Sequence, residues 1–188
     1  MGCCGSSCVD ENNVSLSEDV GVNKDSLLIQ QYIKEDCDFR KSKGSSINFD
    51  KQSKIQRIEI ICMGCFLSRS RELIKENKIE ILFRDNAIEG TKYRPDLLFR
   101  KNYGKDFKIY HIEIDENSHS GYDDEKERNR YSTIKDYCLT RYGSYNLIRF
   151  NPNVYGKLET EHDKLIMAEQ FASLLSGADG LIYFEMNG

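Results

Sequence analysis

The segment Tyr110-His111-Ile112-Glu113-Ile114-Asp115-Glu116 alternates apolar and polar side chains with a period of two. That period belongs to an extended strand, whose successive side chains leave opposite faces. Ile112 and Ile114 therefore point one way, and Glu113 and Asp115 the other. Two carboxylates two apart on one strand repel each other wherever the surroundings are apolar, and a cation usually relieves such a pair. A fold of this chain has to bury one face of this strand and give the other an acidic character.

The neighbouring pattern predicts how a third carboxylate joins. Residues 79–83, 94–100 and 107–116 read as three strands, the last two joined by a loop at 101–106 that contains Gly104. If the turn centres on Tyr103 and Gly104, Asp96 falls opposite His111, on the face of Glu113 and one diagonal step from it. A slip of one residue would send Asp96 to the other face. Before the strands, residues 55–62 and the stretch near Phe66 are apolar enough to enter a core, and 68–77 carries helix formers with Leu73 and Ile74 inward. After them come a charged helix at 123–141, a strand at 145–150 stopped by Asn151-Pro152-Asn153, and a helix at 159–175 with Leu165, Ile166, Ala168, Phe171, Ala172, Leu174 and Leu175 at helical spacing. Residues 181–185 read as a last strand or a short extension. The order αβββαβα predicts an α/β (α+β) domain over 54–188, with a mixed central sheet flanked by helices.

Residues 1–53 are rich in Ser, Asn, Asp, Lys and Gly and read as a flexible tail, apart from Leu27, Leu28, Ile29 and Ile33, which predict one loose helix capped by Asp25 or Ser26. The chain opens Met1-Gly2-Cys3-Cys4-Gly5-Ser6, the pattern of N-myristoylation at Gly2, with Cys3 and Cys4 placed for palmitoylation. Two acyl chains are what stable anchoring needs, so an anchored, otherwise intracellular protein (cytoplasmic or nuclear) is expected; a chance match in a small-residue terminus is the competing reading. No run approaches the roughly 18 apolar residues of a transmembrane helix. The seven cysteines form no even disulfide framework and fit a reducing compartment. Cys62 and Cys65 have the spacing of half a zinc site, but no second pair follows, and buried thiols are preferred. The net charge of -4 argues against nucleic-acid binding through a global positive field, though not against a local basic face.

Beyond the acidic strand come His119 and Tyr122, then Glu127 and Arg130 on the charged helix. A cluster of hard carboxylate oxygens suits Mg²⁺ or Mn²⁺. A neighbouring His can serve as general base or orient a water, and an Arg can offset charge on a phosphoryl oxygen. These parts describe metal-assisted phosphodiester hydrolysis. Singly, each has an ordinary explanation: a turn Asp after Pro95, the solvent face of a strand, and an i,i+3 ion pair on a helix.

The series Arg94-Pro95-Asp96, Ile112-Glu113-Ile114-Asp115-Glu116 with His119, then Tyr122, Glu127 and Arg130, then Leu147-Ile148-Arg149-Phe150-Asn151 resembles the PD-(D/E)XK nuclease superfamily, in the branch related to the very-short-patch repair endonucleases with relatives in bacteria and large DNA viruses. The resemblance covers roughly residues 68–153. It implies a restriction-endonuclease-like fold, Mg²⁺ dependence and DNA as substrate, with Asp96, Glu113 and Asp115 at the metal. Asp115 stands where the commonest pattern has Lys, and in this branch His119 would take over part of that lysine's role. Glu72 resembles the helical Glu that many members direct toward the site. Tyr93, Arg94, Tyr103, Lys105, Lys126 and Arg128 are candidates for a nucleic-acid face. The rival reading is a catalytically inactive nuclease-fold protein, acting as a membrane-anchored nucleic-acid-binding or scaffold protein; a third is a small zinc-binding regulator.

Overall fold

The computed structural model describes residues 23–44, 57–115, 123–152 and 158–176. It is a mixed α/β structure around a four-stranded sheet in the order β1-β2-β3-β4. The strands are β1 (Ile79–Phe83), β2 (Leu97–Tyr103), β3 (Asp106–Ile114) and β4 (Asn146–Phe150). β1, β2 and β3 pair antiparallel, and β4 adds to β3 in parallel. A parallel neighbour requires a crossover, supplied by helix α4 (Asp124–Tyr142).

Three helices precede the sheet, where the sequence pattern predicts a loose helix around residues 27–33 and one at 68–77: α1 (Lys24–Ser42), α2 (Ile58–Arg69) and the short α3 (Arg71–Lys75). With α5 (Glu161–Ser176), α1 and α2 cover one face of the sheet, packing Ile29, Ile33, Ile61, Phe66 and Phe171 against Leu97, Phe99, Ile112 and Ile114. On the opposite face, Ile88 and two α4 residues one turn apart, Ile134 and Cys138, pack against Leu98 and Ile109.

The loose helix expected within the tail around residues 27–33 is a longer one, Lys24–Ser42, and it belongs to the core. Asn23 caps this helix through the Asp25 amide at 3.0 Å, and its buried face is Ile29, Tyr32, Ile33, Asp36, Cys37 and Arg40. The spacing is that of a core-facing stripe, but two of its members are ionised. They go inward because their charges are paired there. α2 is buried at every position from Ile58 to Leu67, and a helix apolar all round carries no periodic signal. This explains why the sequence pattern points to 68–77 instead, where Leu73 and Ile74 are only partly buried. At the α1/α2 crossing a Cβ on Gly64 would stand 1.8 Å from the Tyr32 carbonyl oxygen; only glycine lets the two backbones approach so closely.

The hairpin turn falls one residue later than expected. Tyr103 pairs with Asp106, leaving Gly104 (φ 71°) and Lys105 as the two turn residues, the arrangement that follows the right-handed strand twist. The pairing therefore shifts by two, and the face is kept. No described helix is long and apolar enough to cross a membrane. The acylation signal at Gly2, Cys3 and Cys4, His119, Tyr122 and the expected last strand at 181–185 lie outside the described residues.

Candidate functional site

Glu113 and Asp115 stand at the C-terminal end of β3, on the side that faces α4. Leu97 pairs with Ile112, so continuing the register one step puts Asp96 level with Glu113, closer than the diagonal placement expected. Asp96 Oδ2 accepts a hydrogen bond from the Ile114 amide at 2.7 Å, and Arg84 Nη1 donates to the Asp96 carbonyl at 2.9 Å. The residue is pinned through both side chain and backbone.

Glu113, 2% exposed, takes two partners. His111 Nε2 lies 2.5 Å from Oε1, and Arg130 Nη2 donates to Oε2 at 2.5 Å. Arg130 also reaches the Arg94 carbonyl at 3.0 Å and Glu127 Oε1 at 3.4 Å. Burial pushes Glu113 up to about 7, the Arg130 guanidinium pulling against it and Asp115 adding to it. Asp96 is raised well above the ordinary carboxyl range, by burial first and then by the charges of Glu113 and Glu59. Burial lowers His111 to about 3, and Arg130 adds to the effect. A neutral imidazole between a carboxylate and the Tyr145 hydroxyl, 3.0 Å from Nδ1, satisfies both as the Nε2–H tautomer, donating to Glu113 and accepting from Tyr145.

Asp115 is held by Arg149, whose Nε and Nη2 both lie 2.7 Å from Oδ2. The Arg130 and Arg149 guanidinium carbons each stand 5.5 Å from the centre of the Tyr131 ring. Thus Asp96, Glu113, Asp115, Arg130 and Glu127 are brought together as the sequence predicts. Among the described residues no three His, Cys, Asp or Glu side chains form a ready-made metal cluster, and arginines pair with two of the carboxylates.

Glu72 is a correction. It sits exposed on α3 with Lys75 Nζ 2.7 Å from its Oε1, and contacts nothing at the site. The helical carboxylate whose charge reaches Asp96 is Glu59, in the first turn of α2. Arg84 Nη1 is 2.9 Å and Arg40 Nη2 3.3 Å from Glu59 Oε1. Arg84, fully buried, also pairs with Asp36 at 2.8 Å, and Arg40 joins Asp36 at 2.9 Å and Asp85 at 2.8 Å. This chain of ions ties α1 and α2 to the Asp96 backbone. Its signal in the sequence is a lone Glu inside Ile58-Glu59-Ile60-Ile61, a charge with no solvent face to occupy; Arg84, just past β1, gives none.

The candidate nucleic-acid face divides. Tyr103 and Lys105 sit at the hairpin tip, the opposite end of β2 from Asp96 and on the order of 20 Å along the strand. Tyr93 packs into the α4-side cluster, and Lys126 is exposed beside the Asp123 cap of α4, 3.2 Å from its carboxylate. Cys62 and Cys65 are both buried thiols within α2, in no disulfide. No family model, curated protein or solved structure matches this chain.

Proposed function

We propose that the protein is a metal-dependent nuclease that hydrolyses phosphodiester bonds in DNA at Asp96, Glu113 and Asp115, on a restriction-endonuclease-like core. The observation that carries the reading is Asp96, a partly buried carboxylate level with buried Glu113, with no cationic side chain paired to it among the described residues. Crowding a second anion against a buried one is costly unless positive charge is supplied. The donors are hard oxygens, which suits Mg²⁺ or Mn²⁺; Asp96, Glu113 and Asp115 would hold the ion. Support for the fold comes from three antiparallel strands extended by a parallel fourth through α4, the strand and helix order that the resemblance implies.

A bound ion there acidifies a water and polarises a phosphoryl oxygen. The remaining work falls to the chain's own residues. Arg84 and the Ile114 amide keep Asp96 in place. Neutral His111 orients Glu113 without competing as a cation. Arg130, steadied by Glu127, puts a guanidinium where phosphate charge has to be offset. His119 carries the expected role of accepting a proton or positioning the water.

The test is cleavage of plasmid and short single-stranded DNA by purified protein with Mg²⁺, Mn²⁺ or EDTA, beside an Asp96→Ala/Asp115→Ala variant. Metal-dependent cleavage that disappears in the folded variant is the expected result. A folded wild-type protein that cuts neither substrate with either ion overturns the reading in favour of a non-catalytic nuclease-fold protein.

A further inference from the structure

Arg149 lies in β4, paired in register with Glu113 of the neighbouring parallel strand, so its side chain leaves the sheet on the α4 side. Its guanidinium meets Asp115 edge-on through Nε and Nη2, both 2.7 Å from one carboxylate oxygen, and rests on the Tyr131 ring at 5.5 Å. The side chain is 46% exposed, whereas that of Asp115 is 7% exposed. The acid is thus buried and its partner half in water. Arg130 differs: its side chain is 19% exposed, and it is held by Glu113, Glu127 and the Arg94 carbonyl together.

We propose that Arg149 is a phosphate-binding residue of this site and that it alternates with the metal ion as the cation of Asp115. The inference rests on the nuclease reading above. Asp115 is buried and has to keep a cation, whereas Arg149 is half in water; a divalent ion offers the same oxygen twice the charge and takes over the acid without leaving it uncompensated. The Tyr131 ring keeps the displaced guanidinium within the site. A planar guanidinium stacked on an aromatic ring presents its N–H groups in a fork that matches two phosphate oxygens. Arg130, with three partners, stays where it is. Arg149 is the mobile one.

A cation that competes with the metal and also binds the substrate has a two-sided signature. Arg149→Gln removes the competitor, so Mn²⁺ binding, followed by titration calorimetry or by the paramagnetic signal of free Mn²⁺, tightens by about fivefold to tenfold. The same change removes a phosphate contact. Binding of a short DNA duplex in Ca²⁺ weakens by about tenfold, and the slope of log affinity against log salt becomes shallower by about one. Arg149→Lys keeps the charge, loses the flat two-point contact and falls between. Lys also guards against a Gln variant that fails to fold once the charged contact to Asp115 is lost. If Arg149 were merely structural, its loss would weaken both bindings or change neither, and either result overturns the inference. In both of those cases the wild type still binds Mn²⁺ and DNA. A wild type that binds neither overturns the nuclease reading as well.

Discussion

Glu113 is buried between a neutral imidazole and a guanidinium, and burial lifts its carboxyl from 4.5 to about 7. Between those values the folded protein keeps a proton that the unfolded chain has released, so stability falls as pH rises through the window. His111 works in the opposite sense, since its folded value of about 3 lies below the 6.5 of the free side chain; comparing two proteins at each pH removes most of its share. Glu113→Gln mimics the protonated acid and carries no such slope. The stability of the variant minus that of the wild type should therefore rise, by up to about 3 kcal/mol, between about pH 5 and about pH 8 in metal-free buffer. Chemical denaturation at the two pH values measures it, and a pH-independent difference would show that Glu113 titrates as an ordinary carboxylate. Strand periodicity made the shared face of Glu113 and Asp115 legible. It left Arg149 hidden as the partner of Asp115, because that residue reaches the acid from a neighbouring strand far along the chain.

Elements were legible wherever their two sides differ in polarity. In β3, Ile112 and Ile114 alternate with Glu113 although both faces are buried, and α5 repeats its apolar residues at helical spacing. α1 was legible only as a loose helix around residues 27–33, because Asp36 and Arg40 on its inner face interrupt the apolar stripe, and Arg84 and Glu59 that pair with them come from other elements. α2 lacks an outer face altogether. Its contact with α1 supplies the prediction at this scale: Gly64→Ala places a methyl 1.8 Å from a backbone oxygen of α1, which no rotamer change relieves, so the helices have to separate. A loss of about 3 kcal/mol is expected, equivalent to a melting temperature lower by about 6–12 °C for a chain of this size. A shift under about 2 °C would mean that the crossing is looser than described.

The two hydrophobic clusters lie on opposite faces of one sheet, and the acidic residues close the end of the α4 side, so an ion held by them would stabilise the whole fold. A ligand that binds only the folded state raises the melting temperature by mass action, and one that binds carboxylates has first to displace their protons. With Glu113 at about 7 and Asp96 raised, the same Mn²⁺ concentration should raise the melting temperature more at about pH 8 than at about pH 5.5. Equal shifts at both pH values would indicate binding away from these acids. By itself the sequence determined the strand, the face shared by three carboxylates and the helix that covers them, because all of these follow from local periodicity. The turn moved by one residue, yet pairing shifted by two, and the parity of the face survived. Only the tertiary structure decided which helical acid approaches Asp96, that α1 belongs to the core, and which cations Glu113 and Asp115 hold. Those outcomes depend on contacts between residues far apart in the chain, where a buried charge is tolerated only if another element delivers its partner.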